Sequence, residues 1–471
     1  MNEYKNVLII GAGIAGDLLR RDIEENYHDI KMIGFVDDTD DSNIQKEFNI
    51  IGKIDNLSKI NKIYRVDEMI IAIPSADGAL IRRILQANFK NNTPVMIVPR
   101  SQKVIGENRV LYSEIKNLDL EDFLGRPFLK RNVENLKSFY KDKIILITGG
   151  AGSIGSEVVR QLLDLEVKKV VVYDNSEYLI FNIDQDLKEN GIDKNRYRLI
   201  IGSILNVSKV DAVIKEEKPD FMFHAAAYKH VYLMEDNVDE AIMNNVIGTK
   251  NIVDIAIKNK IKNFIFISTD KVVNPTSIMG STKKIAEYYI KCLPPTKTKF
   301  TIVRFGNVIN SNGSVLPLFE HQIIKNKYVT VTHKDVRRFF MSIREAAQLV
   351  IESVSKDNHG EIYILDMGEL VNIYEIAQCL IRSKNLIPHQ DIEIKIIGLK
   401  KGEKIIEELF TDKEKENLIK TEIDNVFRLK NHEECPVNIL GVIGDLKDLA
   451  ENHEMSQIKT YLKTIFPSIK A

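Results

Sequence analysis

The hydrophobic positions repeat one pattern twice: a short aliphatic run, a glycine cluster, then apolar residues at helical spacing. In the first copy Val7-Leu8-Ile9-Ile10 leads into Gly11-Ala12-Gly13-Ile14-Ala15-Gly16, followed by Leu18, Leu19 and Ile23. In the second, Ile144-Ile145-Leu146-Ile147 leads into Thr148-Gly149-Gly150-Ala151-Gly152-Ser153-Ile154-Gly155, followed by Val158, Val159, Leu162 and Leu163. An unbroken apolar run of this length predicts a buried parallel strand, and the spacing after it predicts a helix. Two such units so far apart predict two nucleotide-binding-type folds in tandem, not a short-period repeat.

Between the units, from Arg100 to Asp142, polar residues interrupt every apolar pair. This stretch, with Leu120-Glu121-Asp122-Phe123-Leu124-Gly125-Arg126-Pro127 inside it, reads as a connector with some helix. After the second unit, short apolar runs alternate with longer helical patterns to about residue 310, the signature of a parallel sheet covered on both faces. Its expected strands are Lys169 to Tyr173, Arg198 to Ile201, Phe221 to His224, Asn263 to Ser268 and Phe300 to Phe305. Beyond Asn310 the mixed, shorter elements predict a smaller substrate-binding lobe, and the charged tail from Lys413 is the least legible part. The expected plan is a nucleotide-binding-type domain over 1–104, a connector over 105–141, and a catalytic domain over 142–471. Within that domain the cofactor sheet spans about 142–310, and the lobe and tail about 311–471.

The 471 residues are 44% hydrophobic and 28% charged, which suits ordinary cores and excludes a disordered, collagen-like or coiled-coil chain. With 66 Lys+Arg against 67 Asp+Glu the net charge is -1, which argues against a nucleic-acid binder and leaves room for a local basic pocket. No apolar run nears the ~20 residues of a membrane span, and Met1-Asn2-Glu3-Tyr4-Lys5 lacks the regions of a signal peptide. Cys292, Cys379 and Cys435 lie far apart, so neither a disulfide framework nor a cysteine zinc site is expected, and a reduced cytoplasm is the natural compartment. His230 and His333 lack paired ligand spacing, so no metal is expected.

Glycines in such loops permit a tight turn, let backbone approach a pyrophosphate and let the helix pack close to the strand, with its N-terminus facing the anion. In the second unit these are Gly149, Gly152 and Gly155, and Asp174 ends the next strand. A carboxylate there accepts hydrogen bonds from a ribose and repels a 2′-phosphate, so NAD rather than NADP is expected. The first unit carries Asp37 at the matching place. Either it too takes a nucleotide or its glycines serve only turn and packing geometry; no catalysis is expected of it.

Chemistry concentrates in Phe266-Ile267-Ser268-Thr269-Asp270-Lys271. A buried strand there ends in a hydroxyl, a carboxylate and an ammonium at the carboxyl end of a parallel sheet, where open α/β folds bind ligands. Together with Thr148-Gly149-x-x-Gly152-x-x-Gly155, this segment resembles the extended short-chain dehydrogenase/reductase (SDR) superfamily. Further motifs narrow the resemblance: His224-Ala225-Ala226-Ala227-Tyr228-Lys229-His230-Val231, Asn245-Val246-Ile247-Gly248-Thr249, Met279-Gly280-Ser281-Thr282-Lys283, Val303-Arg304-Phe305-Gly306-Asn307-Val308 and Gly398-Leu399-Lys400-Lys401-Gly402-Glu403-Lys404. These are similar to the CapD-type polysaccharide biosynthesis proteins, which include UDP-N-acetylglucosamine 4,6-dehydratases. The resemblance covers almost the whole chain. It implies an α/β architecture of two Rossmann-like domains in tandem, the second an extended SDR fold with a smaller C-terminal substrate-binding lobe. Many long relatives carry membrane helices before the first unit. This chain begins at that unit, so a cytosolic version of a usually tethered enzyme is expected, associating as a homo-oligomer.

The activity implied is a redox-neutral lyase reaction on a UDP-sugar: the nicotinamide takes hydride from C4, the C5 proton is removed, the C6 hydroxyl leaves as water, and hydride returns to C6. By resemblance Asp270 is the acid and Lys271 the C5 base, which needs a pKa lowered by burial or a nearby cation. Met279 stands where the superfamily's Tyr-x-x-x-Lys has tyrosine, and a thioether carries no proton. Thr269 is therefore expected to handle the C4 hydroxyl proton, through Lys283 or a water. Lys283 is implied at the nicotinamide ribose, and Gly149, Gly152, Ser153, Ile154, Gly155, Asp174, Ser203, Ile204, Ala225, Ala226 and Asn245 along the cofactor. Ser203 replaces the family's frequent Asp before Ile204, which weakens adenine recognition. Lys229, Asn307, Ser314, Arg338, Glu403 and Lys404 are implied along the UDP-sugar, with Arg338 preferred over Arg337 for the diphosphate. Two other functions share the motifs: a C4 epimerase, which needs no acid at C6, and a non-enzymatic NAD or nucleotide-sugar sensor.

Overall fold

The computed structural model describes residues 4–88, 93–99, 109–118, 122, 133–354, 361–384, 386–430 and 438–469. Part of the expected connector, including 120–127 apart from Asp122, lies outside the described residues, as does Cys435. The chain divides into two compact units.

The first unit comprises Met1–Phe128 with Val315–Asp335 and Val371–Ile397. Val7 to Ile10 are wholly buried because their strand lies mid-sheet. The order is Ile50–Gly52, Ile30–Val36, Lys5–Ile10, Glu68–Ile71, Val95–Ile97, Lys116–Asn117, with only the last strand antiparallel. Crossovers on both sides of the first strand make this a doubly wound sheet. Val315–Asp335 and Val371–Ile397, which the sequence placed in one C-terminal lobe, supply a parallel pair, Tyr328–Val331 with Glu393–Ile396. The helices Val315–Asn326 and Ile373–Ser383 accompany it.

The second unit holds a nine-stranded sheet in the order Leu418–Lys420, Val426–Leu429, Ile362–Leu365, Lys299–Arg304, Asn263–Ile267, Phe221–His224, Ile144–Thr148, Lys169–Asp174, Tyr197–Ile201. From Ile362–Leu365 onward all pairs are parallel. Both faces are therefore covered: Ile145 and Ile147 join one core cluster, and Leu146 joins the other. The sheet does not stop near residue 310. Ile362–Leu365 pairs with Lys299–Arg304, and an antiparallel hairpin covers the edge that would remain. The C-terminal helices Ile439–Glu451 and Met455–Ile465 bury Leu446, Ile458 and Leu462 in the same core cluster as Leu146, against the π-helix Ile242–Gly248 and the helix Ile278–Lys291.

Among the described residues, no helix is long and apolar enough to cross a membrane and no group of His, Cys, Asp or Glu is arranged to hold a metal. Cys292 is disulfide-bonded, against the expectation of unpaired cysteines, and Cys379 is a buried free thiol.

Candidate active site

The strands Ile144–Thr148 and Phe221–His224 are neighbours, and the chain leaves them toward opposite sides, so their carboxyl ends open a crevice. Gly149 turns there at φ +68°, where a Cβ would stand 2.5 Å from the Ala226 nitrogen. A Cβ on Gly155 would stand 2.2 Å from the Gly149 carbonyl oxygen. The first contact is a tight turn against Ala225-Ala226; the second is close helix packing. Gly152 precedes the helix Ser153–Leu163 with no side-chain cap, which leaves the first-turn N–H groups at Ser153, Ile154 and Gly155 for an anion. Asp174 accepts from the backbone N–H of Ala151 at 3.1 Å and of Ser176 at 3.0 Å, so it pins the glycine loop beside the place of a ribose. Ser203 caps its own turn by accepting from Leu205 N–H, and Ile204 is buried. This cradle fits a dinucleotide pyrophosphate and its adjoining ribose.

Asn245 is placed differently from the expectation of a cofactor ligand. It accepts from the N–H of Tyr228 and from Asn244, and donates to the Tyr228 carbonyl and to Thr282 Oγ1. All four of its hydrogen-bonding places are used within the chain, so it braces the Ala225–Lys229 segment rather than reaching a ligand. In the first unit Asp37 repeats the Asp174 arrangement on Ala12 and Thr39, and Gly11 and Gly16 meet close backbone contacts. Turn and packing geometry account for those two glycines.

The strand Asn263–Ile267 delivers Thr269, Asp270 and Lys271 to the crevice. Thr269 Oγ1 donates to Asp270 Oδ1 at 2.9 Å, not to Lys283. Lys271 Nζ donates to Asp270 Oδ1 at 3.0 Å and to Asn307 Oδ1 at 2.8 Å, with Glu407 Oε1 3.8 Å away. Burial opposes the Lys271 charge, but Asp270 and Glu407 outweigh it together with the nearby Arg338, and hold the amine above the usual lysine range. This reverses the expected lowering: the neighbouring cation is outnumbered by carboxylates. Asp270 Oδ2 is buried without a hydrogen-bond partner.

Lys283 behaves in the opposite way. Burial pushes it down to about 7, its Nζ donates to the Ile267 carbonyl at 2.7 Å, and it stands 3.9 Å over the Phe266 ring. Met279 is buried one turn earlier in the same helix, Ile278–Lys291, so nothing there carries a proton. Behind the strand end, Arg304 is buried with bidentate bonds to Glu287 and one to Glu414, while Ser268 Oγ donates to Glu287. Sequence reasoning missed Glu287, Glu407 and Glu414. The one available signal was Arg304 itself, a charge at the end of an apolar strand.

On the other side of Lys271 lies a cleft of about 180 Å³ lined by Val231, Tyr232, Thr276, Ser277, Arg338, Lys400, Lys401, Gly402, Glu403, Lys404 and Glu407. It is smaller than the roughly 300–1,000 Å³ of typical ligand pockets, so as it stands it takes part of a ligand. Its lysines and arginine exceed its acids, which favours an anion. Arg338 is bound by Glu403 at 2.9 Å and by the carbonyls of Arg337 and Ile405. Lys404 donates to the Val273 carbonyl. Thus Lys271, Arg338, Glu403 and Lys404 share the cleft, with Asn307 on Lys271. Lys229 and Ser314 do not line it. Burial of its amine and then the Lys271 charge push Lys229 below the usual lysine range; Ser314 Oγ is buried without a partner.

A family model described as polysaccharide biosynthesis protein matches residues 145–431, and one described as a CoA-binding domain matches residues 1–99. The chain is 37% identical over 420 residues to the capsular polysaccharide biosynthesis protein CapD of Staphylococcus aureus, covering 88% of this chain and 69% of that one. It is 34% identical over 284 residues to a UDP-glucose 4-epimerase of Rickettsia bellii, covering 58% and 80% respectively. The X-ray structure of Pen from Bacillus thuringiensis is similar with a TM-score of 0.58 and 33% identity, covering 67% of this chain and 99% of that one. With a glycine-loop parallel sheet and these relatives, the chain belongs to the CapD-like polysaccharide biosynthesis protein family, with an extended SDR fold behind a Rossmann-like N-terminal domain.

Proposed function

We propose that this chain is a nucleotide-sugar 4,6-dehydratase that works with NAD on UDP-N-acetylglucosamine. The observation that carries this is the hydrogen-bonded series Thr269, Asp270, Lys271 between a dinucleotide cradle and a cation-rich cleft. Dehydration asks for a group to take the C4 hydroxyl proton, a base at C5 and an acid at C6. Bound NAD would supply the redox couple that oxidises C4 and reduces C6. Asp270, with one buried oxygen lacking a donor, is the acid that meets the C6 hydroxyl. Lys271 is the C5 base. A sugar entering among Asp270, Asn307 and Glu407 weakens the contacts that hold its proton, and that moves the amine toward its neutral form. Thr269 takes the C4 hydroxyl proton in place of the missing tyrosine and passes it to Asp270. Lys283 holds the nicotinamide ribose, Arg338, Lys400 and Lys404 the diphosphate, and Asp174 favours NAD over NADP.

A C4 epimerase is the second reading, favoured by identity to the Rickettsia bellii UDP-glucose 4-epimerase across the catalytic half. It needs no acid at C6 and leaves the free oxygen of Asp270 without a task. Purified protein incubated with UDP-N-acetylglucosamine and NAD separates the two. A product lighter by one water with a C6 methyl group supports the dehydratase, an epimer of equal mass supports the second reading, and unchanged sugar counts against both.

A further inference from the structure

The proposed reaction leaves one buried acid of the cleft without a role. Glu407 is 5% exposed, and its Oε1 stands 3.8 Å from Lys271 Nζ and 3.9 Å from Arg338 Nε. Its Oε2 is buried and has no hydrogen-bond partner. A carboxylate in such a place is costly unless cations share it, and Lys271 and Arg338 are those cations. The Lys271 ammonium has three hydrogens to give. Two go to Asp270 Oδ1 and Asn307 Oδ1, and Glu407 is the remaining anion within ion-pair distance.

We propose that Glu407 is a positioning residue for Lys271: from the cleft wall it orients the amine and sets whether the amine keeps its proton. It acts through Lys271 and not by touching the reacting atoms. This rests on the assignment of Lys271 as the C5 base. The charged groups that face Lys271 are Asp270 on its own turn, Lys229 on the segment after Phe221–His224, Arg338 and Glu407. With Glu407 present, two carboxylates face two cations; a neutral residue at 407 leaves one carboxylate against two cations, and the neutral amine gains. The direction of the shift on Lys271, upward with Glu407 among its causes, agrees with this.

Titration of the full-length protein by 13C NMR, with lysine labelled at Cε and the Lys271 signal assigned by its loss in K271R, reads the effect without turnover. In Glu407→Gln the Lys271 midpoint falls by about one pH unit, the size expected for one lost charge at this range. In Glu407→Asp, which withdraws the same charge by one methylene, it falls by less. Midpoints equal to wild type in both variants, with folding verified by circular dichroism, overturn the inference; if only the aspartate variant folds, its unshifted midpoint overturns it alone. Wash-in of solvent deuterium at sugar C5 by wild type on UDP-N-acetylglucosamine is read separately. Its absence sinks the dehydratase assignment and leaves the titration result standing; its presence adds a second expected outcome, a pH limb that moves to lower pH in Glu407→Gln.

Discussion

Lys271 and Lys283 sit near one crevice and are driven in opposite directions by what surrounds them. Lys283 has an aromatic face and a carbonyl, so burial wins and the amine falls to about 7; Lys271 has carboxylates, so it keeps its proton. Between about pH 7 and the ordinary lysine value of 10.5 the unfolded chain therefore binds more protons than the folded one at Lys283. Stability from this group rises with pH across that window and is flat below it. Chemical denaturation of wild type and Lys283→Met from pH 6 to 10 checks this: the wild-type minus variant difference rises with pH, and a flat difference contradicts the buried-amine account. Thr269, Asp270 and Lys271 were legible because they are contiguous at a strand end. The sign of the Lys271 shift was not, because it turns on burial against Asp270 together with Glu407, and Glu407 reaches the amine from 136 positions away, which no spacing announces. Arg304 and Glu414, 110 positions apart, escaped for the same reason.

At the scale of elements, glycines in the two loops divide by the space around them. A Cβ on Gly16 would stand 2.2 Å from the Gly11 carbonyl oxygen, whereas one on Gly13 meets nothing within 4 Å. Gly16→Ala should cost about 3 kcal/mol or more through backbone displacement, and Gly13→Ala about 1 kcal/mol or less, the loss of a glycine helix cap. Urea denaturation of the first unit's signal within the full chain compares them; equal costs contradict the packing account. The parallel strands were legible as unbroken apolar runs because both of their faces are buried. Ile362–Leu365 and the antiparallel hairpin were not, since they are short and their place is fixed by pairing partners distant in the chain. Likewise, only tertiary contact decides that Val315–Asp335 and Val371–Ile397 belong with the first unit.

Across the whole chain, the buried Arg304 joins the sheet strand Lys299–Arg304, the helix Ile278–Lys291 through Glu287, and the short helix Asp412–Glu416 through Glu414. Removing one anion leaves a buried charge short of a partner. Glu287→Ala should therefore destabilise the chain by about 3–5 kcal/mol, read as a lower denaturation midpoint. Adding Arg304→Met to it should recover part of that loss, and a double variant less stable than Glu287→Ala alone would contradict the reading. The same network stands directly behind Ser268 and so steadies the turn that carries the proposed chemistry.

That chemistry makes one demand that an epimerase does not: the hydrogen taken from C4 must arrive at C6 of the same sugar. UDP-N-acetylglucosamine deuterated at C4, incubated with the protein and NAD, tests it by NMR and mass spectrometry. The predicted product has lost one water and carries the deuterium in its C6 methyl group. Deuterium retained at C4 of an equal-mass epimer, or a sugar recovered unchanged, would contradict it.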